Sequence, residues 1–180
     1  STTFRSDLNM QEHNLRSALN KLFGILEADE HNAYASLGIG TILAEFGKVD
    51  EAKEVFKLLA TSESDSHIGL DALLNQSHLW MAEGHIDNAI NLYKACLAKC
   101  PDDLEISMYL SKAYFRKQNF ELCKQLTTHK MEKHPNDIRL KYNLAYCLYK
   151  EADAIFNLKV RKVAQTKKAI ANLKQAKTLF

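Results

Sequence analysis

The chain has 180 residues, of which 46% are hydrophobic and 26% charged, with a formal net charge of +2. That is ample apolar material for a core and too much for a disordered chain, and with only six Gly and two Pro to make sheet turns an all-α fold is predicted. No apolar run approaches the ~18 residues of a membrane span, the start Ser1-Thr2-Thr3-Phe4-Arg5 has no apolar signal core, and the four cysteines follow no disulfide or zinc spacing.

In chain order, Leu15, Leu19, Leu22, Phe23 and Leu26 recur at three and four, which predicts a helix over 13–28. A helix over 32–46 follows, stopped by Gly47, and Asp50 is placed to cap the next, over 51–59. The polar stretch Thr61-Ser62-Glu63-Ser64-Asp65-Ser66-His67 reads as a surface loop. A helix over 70–83 ends at Gly84, and Asp87 caps another that runs through 89–99. Helix 103–117 ends near Gln118-Asn119, where Asn takes the role of Gly, and 121–133 is its partner. A longer helix runs from Ile138 to about Ala154, and the last contains Ala169.

A period underlies these helices. Pro101 and Pro135 lie 34 residues apart in similar settings, Cys100-Pro101-Asp102-Asp103-Leu104 and His134-Pro135-Asn136-Asp137-Ile138. Small residues recur at Ala18, Ala52, Ala89 and Cys123, in steps of 34, 37 and 34. The polar stretch 61–67 accounts for the longer step. Ala169 falls 46 residues after Cys123, so extra residues enter around 156–165. Small residues let the two helices of a hairpin cross closely, and Leu22, Phe56, Tyr93 and Leu173, each four residues further on, fill the gaps between hairpins.

Gly40, Gly47, Ala52 and Phe56 form one motif; Trp80, Gly84, Ala89, Tyr93 and Pro101 a second; Leu110, Tyr114, Cys123 and Pro135 a third, which lacks the Gly at Gln118. This pattern resembles the tetratricopeptide repeat family, whose period is about 34 residues. The resemblance implies a right-handed solenoid of helical hairpins. Residues 1–31 would be the second helix of a preceding repeat, 32–64, 65–101 and 102–135 three full repeats, and 136–180 an extended, basic final hairpin. Because the chain begins inside a repeat and stops at the apolar Leu179-Phe180, it reads as a fragment of a longer array.

Longer stretches carry a finer likeness. Asn32-Ala33-Tyr34-Ala35-Ser36-Leu37-Gly38-Ile39-Gly40, Glu51-Ala52-Lys53-Glu54-Val55-Phe56, Tyr109 to Phe115, Glu121 to Gln125 and Tyr142 to Ala145 are similar to the family of large repeat scaffold subunits of the PAF complex. That resemblance implies a nuclear scaffold acting with RNA polymerase II and the other PAF subunits in transcription elongation and coupled histone modification. The alternatives are an unrelated, cytoplasmic repeat adaptor in trafficking or degradation, and a module whose basic end contacts nucleic acid.

In the tetratricopeptide arrangement the first helix of each hairpin lines an inner face. The positions this places there are Tyr34, Leu74, Asn75, His78, Met108, Tyr109, Lys112, Arg116, Arg139, Tyr142, Asn143, Tyr146 and Tyr149, together with Leu37, Thr41, Met81 and Phe115. Aromatics and Met interleaved with Lys, Arg and Asn suit a protein-binding groove; tight packing is the competing account. The Lys/Asn/Arg clamp with which chaperone-binding members hold a C-terminal carboxylate is not formed by Leu37, Thr41, Asn75, Glu105 and Tyr109, nor by the set one repeat on.

Charge is divided along the chain. Residues 1–90 carry 14 acidic and 6 basic residues, a balance of −8, and residues 91–180 carry 8 and 18, a balance of +10. No acidic residue follows Asp153, and Lys159, Arg161, Lys162, Lys167 and Lys168 offer a basic contact surface for an acidic partner or nucleic acid. The interleaved residues are aliphatic rather than base-stacking aromatics, so a solvated helix face is the competing reading. Cys96 and Cys100 have no partners completing a metal site, no HExxH occurs, and Gly38-Ile39-Gly40 lies inside a helix without the third Gly of a phosphate loop. Catalytic residues, cofactor, metal, small-molecule substrate and membrane are therefore not expected.

Overall fold

A computed structural model of the chain describes residues 2–179, with side chains described at 10 and 12–179. Among the described residues there are nine helices and no strand. They are α1 (Thr2–Ala28), α2 (Ala33–Glu45), α3 (Val49–Ser62), α4 (His67–Ala82), α5 (Ile86–Lys99), α6 (Leu104–Arg116), α7 (Phe120–Lys133), α8 (Ile138–Phe156) and α9 (Val163–Leu179). The chain divides into two compact units, Ser1–Leu92 and Tyr93–Phe180, the division falling in the sequence of α5.

In the first unit α2 packs on α1, α3 and α4, and α3 packs on α4. Its core is Ala52, Phe56, Leu59 and Ala72, flanked by Leu37, Leu43, Val55 and Leu79. Two glycines are fixed by close approach. A Cβ on Gly40 would stand 2.6 Å from the Phe56 ring, and one on Gly69 would stand 1.9 Å from the carbonyl oxygen of Glu63. In the second unit α6 packs on α7, α7 on α8, and α8 on α9. Leu144, Ala145, Leu148 and Ala176 form the core between α8 and α9, with Met131 and Leu179 against it.

The periodic small residues sit where helices touch. Ala52, Ala89, Cys123 and Ala169 are buried, and Ala18 is half-buried. Of the residues four positions on, Phe56 and Tyr93 are buried and Leu22 half-buried, but Leu173 is exposed. The buried side of α9 runs through Ala169, Asn172 and Ala176, which leaves Leu173 off the contact.

Helix starts follow side-chain caps. Asn32, Ser66, Asp103, Asn119 and Asp137 each accept a backbone N–H from the first turn of the helix that follows. Asp50 and Asp87 do not precede their helices: both lie in the first turn, since α3 starts at Val49 and α5 at Ile86. There a carboxylate favours the helix dipole instead of capping, and Asp50 also pairs with Lys53 at 2.8 Å. The left-handed turn residue after α6 is Gln118 (φ 61), in the place of Gly47 (φ 75) and Gly84 (φ 85); Asn119 is the cap of α7 rather than the stand-in for Gly.

The 37-residue step has a different origin from the loop expected over 61–67. Thr61 and Ser62 belong to α3, and the connection is Glu63–Ser66, matching in length the connections Asp29–Asn32, Cys100–Asp103 and His134–Asp137. The additional residues lengthen α4, which has 16 against 13 in both α2 and α6. The later insertion lengthens α8 to 19 residues and α9 to 17, and widens the connection between them to 157–162.

Candidate functional site

Helices α6 and α8 of the second unit start with the same chemistry. Asp103 caps α6 and Asp137 caps α8. The guanidinium of Arg139 bridges them, with Nη1 at 2.6 Å from Glu105 and Nη2 at 2.8 Å from Asp137. Glu105 and Arg139 are one 34-residue period apart. The Arg139 side chain, then its backbone N–H, hold the Asp137 carboxyl down at about 2.

Beyond this bridge the two helices enclose a cavity of about 440 Å³, lined by Glu105, Met108, Tyr109, Ser111, Lys112, Phe115 and Arg116 of α6, Cys123 of α7, and Asn143 and Tyr146 of α8. Its wall continues into a ladder of rings. Tyr142 stacks on Tyr146 (centroids 6.1 Å), Tyr146 on Tyr149 (6.4 Å), and Phe115 on Tyr146 (5.3 Å). Spacings of four and three place the three tyrosines on one helix face, and all three are exposed, Tyr142 to 55%. The Lys150 ammonium lies 5.8 Å and 5.5 Å from the centres of the Tyr146 and Tyr149 rings. Lys112 and Arg116 are exposed on the other wall. Such a site can take an apolar or aromatic side chain and hold polar groups around it.

The structure thus brings together Met108, Tyr109, Lys112, Arg116, Asn143 and Tyr146 at the cavity, with Tyr142 and Tyr149 on the ladder and Arg139 in the bridge. The remaining inner-face positions belong to the first unit. Tyr34 on α2 is 75% exposed, and Leu74, Asn75 and His78 on α4 are half-buried. Met81 is a core residue, buried and unavailable to a partner.

The basic residues divide. Lys159, Arg161 and Lys162 lie in the connection between α8 and α9, where Arg161 sits 5.6 Å from the Phe156 ring, and Lys167 is exposed on α9. Lys168 is exposed like Lys167 but also pairs inward: its ammonium is 2.8 Å from Oε1 of Glu151. The other oxygen, Oε2, accepts from Lys124 and from Asn172, both at 2.7 Å. Burial pushes the Glu151 carboxyl up, but the bonds from Lys124 and Lys168 outweigh it and leave it below the ordinary value. The first unit has a counterpart. Lys53 follows Ala52 as Lys124 follows Cys123, is buried, and pairs with Asp50 and with Glu83 (2.9 Å) 4.0 Å above the Trp80 ring.

Glu105, Ser111 and Cys123 line the cavity without having been among the inner-face positions expected from the sequence. The 34-residue spacing of Glu105 and Arg139 was a readable signal for the first. For the other two there was none, because a small residue at a crossing reads as packing. Among the described residues no three His, Cys, Asp or Glu side chains gather as a metal would require, and no helix is long and apolar enough to cross a membrane.

Comparison with known proteins gives three results. Residues 81–141 match the tetratricopeptide repeat family. The chain is 25% identical over 160 residues to the protein CTR9 homolog of Arabidopsis thaliana, and 29% identical over 157 residues to the RNA polymerase-associated protein CTR9 of Caenorhabditis elegans. These matches cover 87% and 86% of this chain but only 15% and 13% of those proteins, so the chain corresponds to a small part of their length. Among solved structures it is similar in fold to MamA (TM-score 0.67, 14% identity, 96% of this chain and 92% of that one) and to MamA from Desulfovibrio magneticus RS-1 (TM-score 0.67, 16% identity, 98% and 92%). The fold is therefore the all-α helical-hairpin array of tetratricopeptide proteins.

Proposed function

From the premise that this is a tetratricopeptide repeat chain similar to CTR9, we propose that it is a protein-interaction scaffold of transcription elongation: part of the repeat region of a PAF-complex subunit, working in the nucleus with RNA polymerase II and in coupled histone modification. The likeness to CTR9 over more than four-fifths of the chain supports the setting. The site observation that carries the interaction role is the apolar cavity between α6 and α8 with the exposed tyrosine ladder beside it. Solvent-exposed stacked aromatics cost hydration free energy unless something covers them, and Tyr with Arg at a pocket rim is the usual composition of a binding hot spot.

In this reading α6 and α8 act as a rigid wall. An extended or helical segment of a partner subunit lies along the ladder, inserts an apolar side chain between Met108, Phe115 and Tyr146, and is oriented by Lys112, Arg116 and Asn143. Rigid presentation keeps the entropy cost of ordering on the partner's side. Tetratricopeptide proteins are typically non-enzymatic, and toward a partner segment this site supplies positioning.

The test is affinity purification from nuclear extract with the parent protein carrying Tyr142→Ala and Tyr146→Ala. The expected outcome is loss of RNA polymerase II and PAF subunits at unchanged helicity in circular dichroism of the isolated segment. Undiminished recovery would remove the ladder from the interface, and recovery of unrelated partners by the unmutated protein would favour an adaptor outside transcription.

A further inference from the structure

Cys123 stands where Ala52 and Ala89 stand in earlier hairpins, so packing alone asks only for a small residue there. Its sulfur has more company than packing requires. Ser111 Oγ is 3.3 Å away and itself 2.9 Å from Thr127 Oγ1. Thr127 donates its hydroxyl proton to the Cys123 carbonyl at 2.8 Å, so it accepts from Ser111. The Cys147 thiol of α8 lies beside Cys123 and points its proton at the Phe120 carbonyl, 3.6 Å away and three residues ahead of Cys123 on α7. Both thiols are free, and Cys123 forms part of the wall of the cavity, whereas Cys147 is fully buried behind it.

We propose that Cys123 and Cys147 form a hydroperoxide-responsive thiol pair: Cys123 is oxidised from the cavity, and Cys147 then closes a disulfide across the contact between α7 and α8. The occupant of the cavity in this role is a small hydroperoxide, hydrogen peroxide included, for which a space of about 440 Å³ is ample. The Cys123 sulfur attacks the terminal peroxide oxygen, the O–O bond breaks, and the alcohol or water leaves with the proton that Cys123 gives up. Cys123 is then a sulfenic acid. The Cys147 sulfur attacks it, its proton and the sulfenic oxygen leave as water, and the S–S bond forms. Two thiols and one hydroperoxide give a disulfide, an alcohol and water.

The surroundings favour this division of roles. The contact with Cys147, with the Lys124 charge beside it, outweighs burial and holds the Cys123 thiol below its ordinary value. The same contact, with burial, pushes Cys147 up, which keeps it protonated until its partner is oxidised. Reactivity follows thiolate content and access. Cys123 is itself buried, so its access is through the cavity wall that it forms, whereas Cys96 is fully buried in α5.

The experiment exposes the reduced full chain to hydrogen peroxide, blocks remaining thiols with N-ethylmaleimide after denaturation, and maps the peptides by mass. The expected result is loss of two hydrogens from the chain, a linked Cys123–Cys147 peptide reversed by dithiothreitol, and Cys96 fully blocked. In Cys147→Ser the Cys123 sulfenic acid should persist and be captured by dimedone. Oxidation confined to Cys100, disulfide-linked dimers as the main product, or full blocking of both Cys123 and Cys147 at peroxide levels that oxidise Cys100 would each overturn the proposal. Mapping of the unmutated chain decides it even if the variant folds poorly.

Discussion

Glu151 is a junction of the second unit's buried polar groups. Its two oxygens hold Lys124 from α7 and Lys168 and Asn172 from α9, so one carboxylate joins three helices. Removing it leaves the buried Asn172 without its acceptor and Lys124 with Glu121 alone, 3.3 Å away. Breaking a buried pair costs roughly 3–5 kcal/mol, and the partial exposure of the lysines reduces that here to about 2–3 kcal/mol for Glu151→Ala. Chemical denaturation of the two chains measures it. The pH dependence follows from the direction of each shift. Glu151 is lowered in the folded chain, so its contribution is complete above the ordinary value of 4.5 and is lost as pH falls below it. Lys124 is raised because its bonds to Glu151 and Glu121 overcome the effect of burial, so its contribution is complete below 10.5 and is lost as pH rises beyond that. Thermal midpoints of the wild type should therefore fall on acidification below 4.5 more steeply than those of Glu151→Gln. Parallel curves would mean that the network is not coupled to folding.

At the level of the helix, the turn between α6 and α7 contains a correctable defect. Gln118 holds the left-handed conformation that Gly47 and Gly84 hold in the earlier turns. A side chain there costs about 1–2 kcal/mol, part of which is returned because Gly loosens the unfolded chain. Gln118→Gly should accordingly raise stability by about 0.5–1 kcal/mol in a denaturation experiment, and a loss of stability would contradict the turn geometry. The position of this turn was readable from the period, since it lies 34 residues after Gly84, but its occupant was misassigned to Asn119. Helices in general were legible because apolar residues recur at helical spacing. Their first residues were less so: Asp50 and Asp87 are good caps in isolation, yet Val49 and Ile86 are drawn into the helix ahead of them. The site shows the same division. Residues of one helix face, such as Tyr142, Tyr146 and Tyr149, follow from spacing alone. Whether Met81 faces a partner or the core, and whether an exposed Lys168 also finds Glu151, depends on what a neighbouring helix presents, which no local pattern encodes.

For the whole molecule, the division into two compact units coincides with the reversal of charge. Residues 1–92 carry 14 acidic and 6 basic residues, and residues 93–180 carry 8 and 18. Charges of this kind act on encounter more than on residence. The association rate of a partner that docks on the second unit should fall about tenfold between low salt and ~0.5 M, with dissociation little changed. Surface plasmon resonance reads both rates. Charge reversal at Lys159, Lys162 and Lys167 should slow association in the same way, whereas Lys168→Glu should reduce thermal stability as well, since it sets a second carboxylate beside Glu151. Equal effects at Lys167 and Lys168 would contradict this assignment. The length of α4 has a bearing on how such chains can vary. Its 16 residues exceed the 13 of α2 and α6 by three, while the connection before it keeps the common length. Three residues turn a helix through about 300°, so the side chains beyond the addition return to within about 60° of their former bearing. One or two residues would instead swing the buried stripe into water. Growth and shrinkage of an array like this are therefore quantised: its helices tolerate change by whole turns, and any other increment must be taken up in a connection such as 157–162.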